Sequence, residues 1–254
     1  MRFTKLTKSL KEILTLPTHA LGLPLLRPKA LSRKAQKELT ALCPTGAFYE
    51  EGEEFRLDLA RCVGCGLCFK EEAVEEMRSL EVAVTRREDL IQRVDLAGQA
   101  FVEPDPPPPT RQALHLRVLA FREVSAGNNG LDDSEIALLG NPFHDMGRLG
   151  FQVVASPRHA DALLVTGPVS RNMAEPLLRT YEAMPEPKGV MAVGNEAVSG
   201  ELFTESPEVL GGVDQLLPVD VYVPGSPPRP GAILFGLLLL TGRVRQRLVG
   251  GRVS

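Results

Sequence analysis

The second half of the chain alternates short apolar runs with amphipathic segments. The runs "LHLRVLAF" (114–121), "ADALLVTG" (160–167) and "KGVMAVG" (188–194) predict buried strands. The segments between them predict helices, among them 132–140 and 173–184. Strands that alternate with helices favour a parallel sheet covered on both faces, so we predict the α/β class for this half of the chain.

Three further elements extend this pattern. "FQVVAS" (151–156) and "PVDVYVPG" (218–225) predict strands, and 229–246 predicts a final helix with basic residues in its last turns. Ligands of such sheets bind in the loops beyond the carboxyl ends of the strands. Here we expect those loops at 124–132, 167–172, 195–203 and 224–229.

The first half of the chain has a different pattern. Residues 1–14 place apolar side chains on one helical face and lysines elsewhere. Two interpretations of this helix stay open, because it could dock on protein or lie on an anionic membrane surface. The run "EPDPPPPT" (103–110) predicts a stiff linker. We therefore predict four parts: a helix and connector at 1–30, a cysteine-bearing domain at 31–102, the linker at 103–112 and the α/β domain at 113–254.

All four cysteines lie in the small domain, at Cys43, Cys62, Cys65 and Cys68. The bacterial ferredoxin run is C-x2-C-x2-C-x3-C-P, and its fourth cysteine ligates the other cluster of a two-cluster domain. A second cluster would need three cysteines before Cys43 and one after Cys68, and the chain has none there. The spacing predicts one [4Fe–4S] cluster; a zinc site held by the same four thiolates, or cysteines without metal, are the alternatives. The segment resembles a bacterial-type ferredoxin domain reduced to one cluster, which implies a small ferredoxin-like α+β domain.

Charge and cysteine usage narrow the function and the compartment. The net charge is −3, without the basic excess that nucleic-acid binding requires. Cysteines crowded into one segment are typical of metal ligands in a reducing compartment. The longest apolar run, 232–240, has nine residues, whereas a membrane-spanning helix needs about 20. We expect a cytoplasmic protein that does not bind nucleic acid, either free or peripheral on the cytoplasmic face of a membrane.

Three long stretches carry a resemblance to a known family: 150–173, 181–194 and 218–238. This half of the chain resembles the small subunit of group 4 membrane-bound [NiFe] hydrogenases and its homologue in respiratory complex I. The resemblance implies a flavodoxin-like fold that docks on a hydrogenase- or complex I-type large subunit. It also implies a [4Fe–4S] cluster near the catalytic or quinone site of that large subunit.

The chain departs from the cluster motifs of this family at four positions. "NNGL" stands for C-N-G-C, "VGNEA" for V-G-x-C-A and "PGSPP" for P-G-C-P-P, which puts Asn128, Leu131, Glu196 and Ser226 at the cysteine positions. The resemblance therefore implies that this second cluster is absent. Oxygen ligands would suit Mg²⁺ or Ca²⁺, but one carboxylate among neutral groups makes a poor cation site. We favour a packed or hydrogen-bonded remnant over a replacement metal.

Other polar residues give no catalytic pattern. His159 and Asp161 are expected to fix a turn and contact a partner, and His144 and Asp145 lie in a loop that could contact a large subunit. No strand is followed by G-x-G-x-x-G or a P-loop. We expect a non-catalytic or electron-transfer subunit of a formate hydrogenlyase-like complex. Its partners would be the large subunit, other iron–sulfur or formate dehydrogenase-like subunits, and membrane subunits. A working hydrogenase or quinone-reductase subunit with unusual ligands, or a purely structural subunit, are the alternatives.

Overall fold

The computed structural model describes residues 22–77, 79, 81–97, 99–102 and 114–253. The helix predicted at 1–14 and the linker predicted at 103–112 lie outside the described residues.

The cysteine-bearing domain begins with a strand, β1 (Leu23–Leu26), which pairs antiparallel with β4 (Val74–Met77). β1 lies before residue 31, at which we predicted the start of this domain, and its Leu26 is buried in the hydrophobic core. Between these strands, helix α1 (Arg33–Leu42) begins where the Ser32 hydroxyl accepts a hydrogen bond from the backbone N–H of Ala35.

A second antiparallel sheet completes this domain. Its members are β2 (Phe48–Glu51), β3 (Glu54–Asp58), β5 (Ile91–Asp95) and β6 (Ala100–Phe101), in the order β2-β3-β5-β6. Apolar side chains alternate inward in β2 and β3, so that Phe48, Phe55 and Leu57 are buried while Tyr49, Glu54 and Arg56 are partly exposed. The small domain is therefore an antiparallel α+β unit.

The large domain is built on five parallel strands. They are β7 (Leu119–Ser125), β8 (Phe151–Val153), β9 (Ala162–Thr166), β10 (Gly189–Val193) and β11 (Val221–Val223). The spatial order is β11-β10-β9-β7-β8. Numbered within the domain, this order is 2-1-3-4-5, which is the flavodoxin order. The predicted α/β class and the flavodoxin-like sheet are confirmed.

Four helices accompany this sheet in the described residues. They are α2 (Leu131–Ala137), α3 (Arg171–Glu182), α4 (Asn195–Ser199) and α5 (Pro230–Leu240). Strands β9 and β10 are buried along their whole length, as expected for central parallel strands. No helix within the described ranges combines the length and the apolar character that crossing a bilayer requires.

Two element boundaries differ from their predicted positions by five or six residues. β7 begins at Leu119 rather than at residue 114, and the preceding His115 has φ +50°. Helix α5 ends at Leu240, because Gly242 follows in the left-handed region at φ +69°. Arg243 therefore lies beyond the helix, where its guanidinium donates to the Leu149 carbonyl at 2.6 Å.

Side chains of both domains pack in one core. Val84 and Tyr222 exchange two backbone hydrogen bonds of 3.0 and 2.8 Å. A terminal hairpin, β12 (Leu248–Val249) and β13 (Arg252–Val253), returns to the small domain. Its turn residue Gly251 donates to the Asp89 carbonyl at 2.6 Å, and a Cβ on Gly251 would lie 2.2 Å from Gln92 Cγ. The cysteine-bearing domain is thus held closely against the α/β domain.

Candidate metal centre

The four cysteines line one cavity. Cys43 ends helix α1, and the other three lie on the loop between β3 and β4. The cavity has a volume of about 20 Å³ and is partly open to solvent, and we call it the cysteine cavity. Cys43, Cys62 and Cys68 are partly buried, whereas Cys65 is exposed. The structure therefore brings together every thiol that the spacing selected.

The backbone around the cysteine cavity is shaped to approach sulfur. Gly64 and Gly66 have φ values of +66° and +73°, a conformation that favours glycine and turns the loop back on itself. The backbone N–H of Ala47 donates to Cys43 Sγ at 3.3 Å, and the N–H of Gly64 donates to the Cys62 sulfur. Hydrogen bonds of this kind stabilise thiolates and are typical of iron–sulfur ligation.

The thiols lie close enough to influence one another electrostatically. Burial, together with a smaller contribution from the neighbouring cysteines, raises the pKa of Cys62 to about 11 and that of Cys68 to about 12. A bound cation would reverse this effect, because a coordinated thiol loses its proton. Among the described residues, no three His, Cys, Asp or Glu side chains are placed to hold a single metal ion. Four soft sulfur donors fit the iron of a cluster.

Helix α4 is hydrogen-bonded directly to the segment between β3 and β4 that carries Cys62, Cys65 and Cys68, which we call the cysteine loop. Asn195 Nδ2 donates to the Cys62 carbonyl at 2.8 Å and to the Leu59 carbonyl at 3.4 Å. The Ser199 hydroxyl donates to the Ala60 carbonyl at 2.7 Å. The large domain thus contacts the backbone of the loop that carries three of the four cysteines.

A second, smaller cavity lies at the carboxyl ends of β10 and β11 and against α2; we call it the polar cavity. Its lining residues are Asn129, Leu131, Asp132, Asn195, Glu196, Gly225, Ser226 and Pro227. They belong to three of the four segments in which we expected a ligand site, and 167–172 contributes none of them. The segment expected as a loop at 195–203 begins with a helix, α4.

Three of the four positions at which the family motifs carry cysteine, Leu131, Glu196 and Ser226, line the polar cavity. Asn128 does not, because its amide nitrogen donates to the Thr166 hydroxyl at 2.6 Å and to Asp133. The neighbouring Asn129 lines the cavity instead and donates to Glu196 Oε1 at 3.2 Å.

The large domain matches a known family over residues 132–240, the "NADH ubiquinone oxidoreductase, 20 Kd subunit" family. It is 45% identical over 130 residues to the "Probable membrane-bound hydrogenase subunit mbhJ" of Pyrococcus furiosus, covering 51% of this chain and 77% of that protein. The chain belongs to this family.

Two other relatives show the range of this family. An NADH-quinone oxidoreductase subunit of Bacteroides thetaiotaomicron is 50% identical over 119 residues, covering 46% of this chain and 60% of that protein. "Formate hydrogenlyase subunit 7" of Escherichia coli is 42% identical over 128 residues, covering 50% of each chain. The chain thus spans between half and 60% of the length of these two relatives, and the cysteine-bearing domain lies outside the residues that match the family.

Buried carboxylates around the polar cavity were missed from the sequence. Burial, together with the charge of Glu196, raises the pKa of Asp132 to about 7. Burial also raises the pKa of Glu196 and of Glu201, while a hydrogen bond from Ser226 lowers that of Glu201. Glu196 Oε2 and Glu201 Oε1 are buried, with no hydrogen-bond partner in the described part of the chain. Of the three carboxylates, only Glu196 lies at a position that the family motifs select. Asp132 and Glu201 lie outside those positions, and only the fold brings them close to Glu196.

A partly buried acidic pair, Glu123 and Asp133, lies near the polar cavity. The Thr166 hydroxyl donates to Asp133 Oδ1 at 2.7 Å, and burial next to Asp133 raises the pKa of Glu123 to about 7. These groups surround the amide of Asn128 and account for its orientation away from the cavity. Asn128 therefore belongs to the packing of the sheet end.

The other polar residues singled out in the sequence have local contacts. Asp161 Oδ2 accepts from the Ala120 N–H at 2.8 Å and so connects the residue before β9 to strand β7. Asp145 accepts from the Arg148 N–H at 3.2 Å, and His144 Nδ1 lies 3.2 Å from Asn141 Oδ1. His159 ends a short 3₁₀ turn. None of these four residues lines either cavity.

Proposed function

We propose that this chain is an iron–sulfur subunit of a complex I- or group 4 hydrogenase-type redox complex, and that the cysteine cavity holds one [4Fe–4S] cluster. The carrying observation is the arrangement of Cys43, Cys62, Cys65 and Cys68 around one cavity with backbone N–H groups directed at sulfur. When bound, such a cluster takes up and gives back one electron. The exposed Cys65 lies on the solvent side, where a redox partner has access.

We further propose that the large domain holds no second cluster and acts as a docking scaffold. No cysteine lines the polar cavity, and its carboxylates, amides and hydroxyl are hard or neutral groups unsuited to iron–sulfur ligation. The Asn129 amide donates to Glu196, and Ser226 donates to Glu201. These hydrogen bonds support a filled remnant of the site.

The partner that best fits this scaffold is a hydrogenase- or complex I-type large subunit. Large exposed apolar side chains belong to the segments that follow β7 and α4; they are Leu131, Leu138, Phe143, Leu202 and Phe203, each between 44% and 61% exposed. Exposed apolar side chains of this size are typical of protein interfaces. Other iron–sulfur, formate dehydrogenase-like and membrane subunits complete the proposed assembly, with the chain on the cytoplasmic face of the membrane.

The alternative is a working hydrogenase or quinone-reductase subunit whose second cluster uses unusual ligands. Leu131 offers no donor atom and Asn128 points away from the polar cavity, so only Glu196 and Ser226 would remain at the four positions. Two oxygen ligands are a weak basis for a cluster. A purely structural subunit is the other alternative, in which the cysteine cavity stabilises the fold without transferring electrons.

Iron and acid-labile sulfide analysis of two variants of the purified complex tests this proposal. We expect Cys68→Ala to lose the iron of this chain, about four atoms per copy, because a ligand is removed. We expect Glu196→Gln, a matched change in the polar cavity, to keep it. Iron lost from Glu196→Gln, or zinc instead of iron in the unaltered protein, would contradict the proposal.

A further inference from the structure

One side chain connects the two cavities. Asn195 lines the polar cavity, and its amide nitrogen donates to the carbonyl of Cys62 on the cysteine loop at 2.8 Å. The same side chain accepts, at Oδ1, from the N–H of Gly225 at 2.9 Å. Its own backbone N–H donates to the Gly225 carbonyl at 2.7 Å. Asn195 therefore bonds at once to the cysteine loop and to the segment that precedes Ser226.

The chemistry of the amide matters at this position. Asn195 is only 1% exposed, and the backbone groups that it contacts at Cys62 and Gly225 are partly buried. A carboxamide offers two donors and an acceptor on one short side chain. An apolar residue of the same size would leave the Cys62 carbonyl and the Gly225 N–H without this partner, and each such buried group costs free energy.

We propose that Asn195 is a positioning residue for the cysteine loop. Its amide holds the Cys62 peptide in place, and so sets the orientation of the loop around the cluster. This inference rests on the proposed function, since it requires the cysteine cavity to hold a cluster. By fixing the Cys62 carbonyl, Asn195 also sets the start of the turn in which Gly64 donates to the Cys62 sulfur. Ser199 supports the same loop one helical turn later, through the Ala60 carbonyl.

The expected consequence is spectroscopic as well as structural. The reduction potential of a cluster depends on hydrogen bonds to its sulfurs and on solvent exposure. Loosening the Cys62 peptide changes both. Loss of Asn195 should therefore change the potential and the EPR spectrum of the reduced cluster even in a protein that remains folded.

Asn195→Ala and Asn195→Leu, compared in the purified complex, test the proposal. Both remove the hydrogen bonds, but leucine is at least as large as asparagine and fills the space that alanine leaves. We expect both variants to show a shifted midpoint potential, an altered EPR spectrum and about fivefold faster iron release to a chelator, the effect of one lost hydrogen bond. Asn141→Ala is the matched control, because its side chain accepts from Phe143 and His144 in a loop that lines neither cavity.

Three results would overturn the proposal. The first is a wild-type spectrum, potential and iron-release rate in both variants. The second is full recovery in Asn195→Leu, which would make the effect one of packing. The third is loss of the fold in both variants by circular dichroism, which would make Asn195 a purely structural residue. Failure of the proposed function is distinguishable from all three, because the unaltered protein would then lack an iron–sulfur cluster.

Discussion

Helix α4 lies between two cavities of opposite chemistry. On one side, four thiols line the cysteine cavity, and two glycines in the left-handed region shape the loop that carries three of them. On the other side, carboxylates, amides and a hydroxyl line a small cavity at the end of a parallel sheet, the place where such folds bind ligands. In our proposal, the large domain keeps the place of a ligand site, while the side chains that line it hold no cluster. We infer that donor chemistry, more than fold, decides which of the two adjacent cavities holds iron.

The largest effect is expected for electron transfer through the cysteine cavity. Cys65→Ala removes the exposed ligand, so electron flow in the assembled complex should fall at least about tenfold if the cluster is a relay. The rate at which the assembled complex reduces an artificial electron acceptor measures this electron flow. Glu196→Gln, the control on the other side of α4, should retain the rate. Unchanged flow in Cys65→Ala would favour a purely structural cluster.

The polar cavity should produce a characteristic pH dependence of stability. Burial raises the pKa of Asp132 in the folded protein from its ordinary value of 3.8 to about 7. The folded state therefore holds this proton more tightly than the unfolded state, and the free energy of unfolding should fall as the pH rises from about 4 to 7. Asp132→Asn should reduce this decline by an amount on the order of 2–4 kcal/mol between pH 4 and pH 8. The rest of the decline comes from Glu123, Glu196 and Glu201, whose pKa values burial also raises.

Denaturant unfolding of the two proteins across this pH range measures the difference. Asp214→Asn is a suitable control, because Asp214 lies outside both cavities. If the free energy of unfolding varied with pH in the same way in the unaltered protein and in Asp132→Asn, Asp132 would ionise in the folded protein at no cost. That result would contradict the raised pKa of Asp132.

A smaller effect is expected where the backbone closes on Asp132. Gly194 has φ +87°, and a Cβ there would lie 2.4 Å from Asp132 Oδ2. Gly194→Ala should destabilise the protein by about 2–3 kcal/mol, through conformational strain plus this overlap. Gly46→Ala, at φ +62° with nothing within 4 Å of the added Cβ, should cost only about 1 kcal/mol. Equal costs in thermal or denaturant unfolding would show that Asp132 moves freely aside.

The sequence predicted the cysteine cavity more completely than the polar one. Cys62, Cys65 and Cys68 lie close together in the sequence, so their spacing alone predicts that they share one site. Only Cys43 is brought to the cavity by the fold. The polar cavity is assembled from segments far apart in the chain. Motif comparison selected Leu131, Glu196 and Ser226, but it could not show that Asn129 replaces Asn128 at the cavity wall.

The same distinction explains what was predicted of the fold. Apolar runs specify the central strands β9 and β10 because burial on both faces demands them. The ends of β7 and α5 depend on single residues in left-handed conformation, His115 and Gly242, which a hydrophobic pattern does not reveal. The contact of Asn195 with Cys62 joins residues 133 positions apart, so no local pattern could predict it.

Mössbauer spectroscopy of the ⁵⁷Fe-enriched, assembled complex tests the central claim most directly, when the unaltered protein is compared with Cys62→Ala. The account predicts that the signal of one [4Fe–4S] cluster per copy of this chain, and no other signal, disappears in the variant. It also predicts that no iron signal depends on Glu196 or Ser226. A second cluster that survives in Cys62→Ala and is lost when Glu196 and Ser226 are replaced by alanine would contradict it.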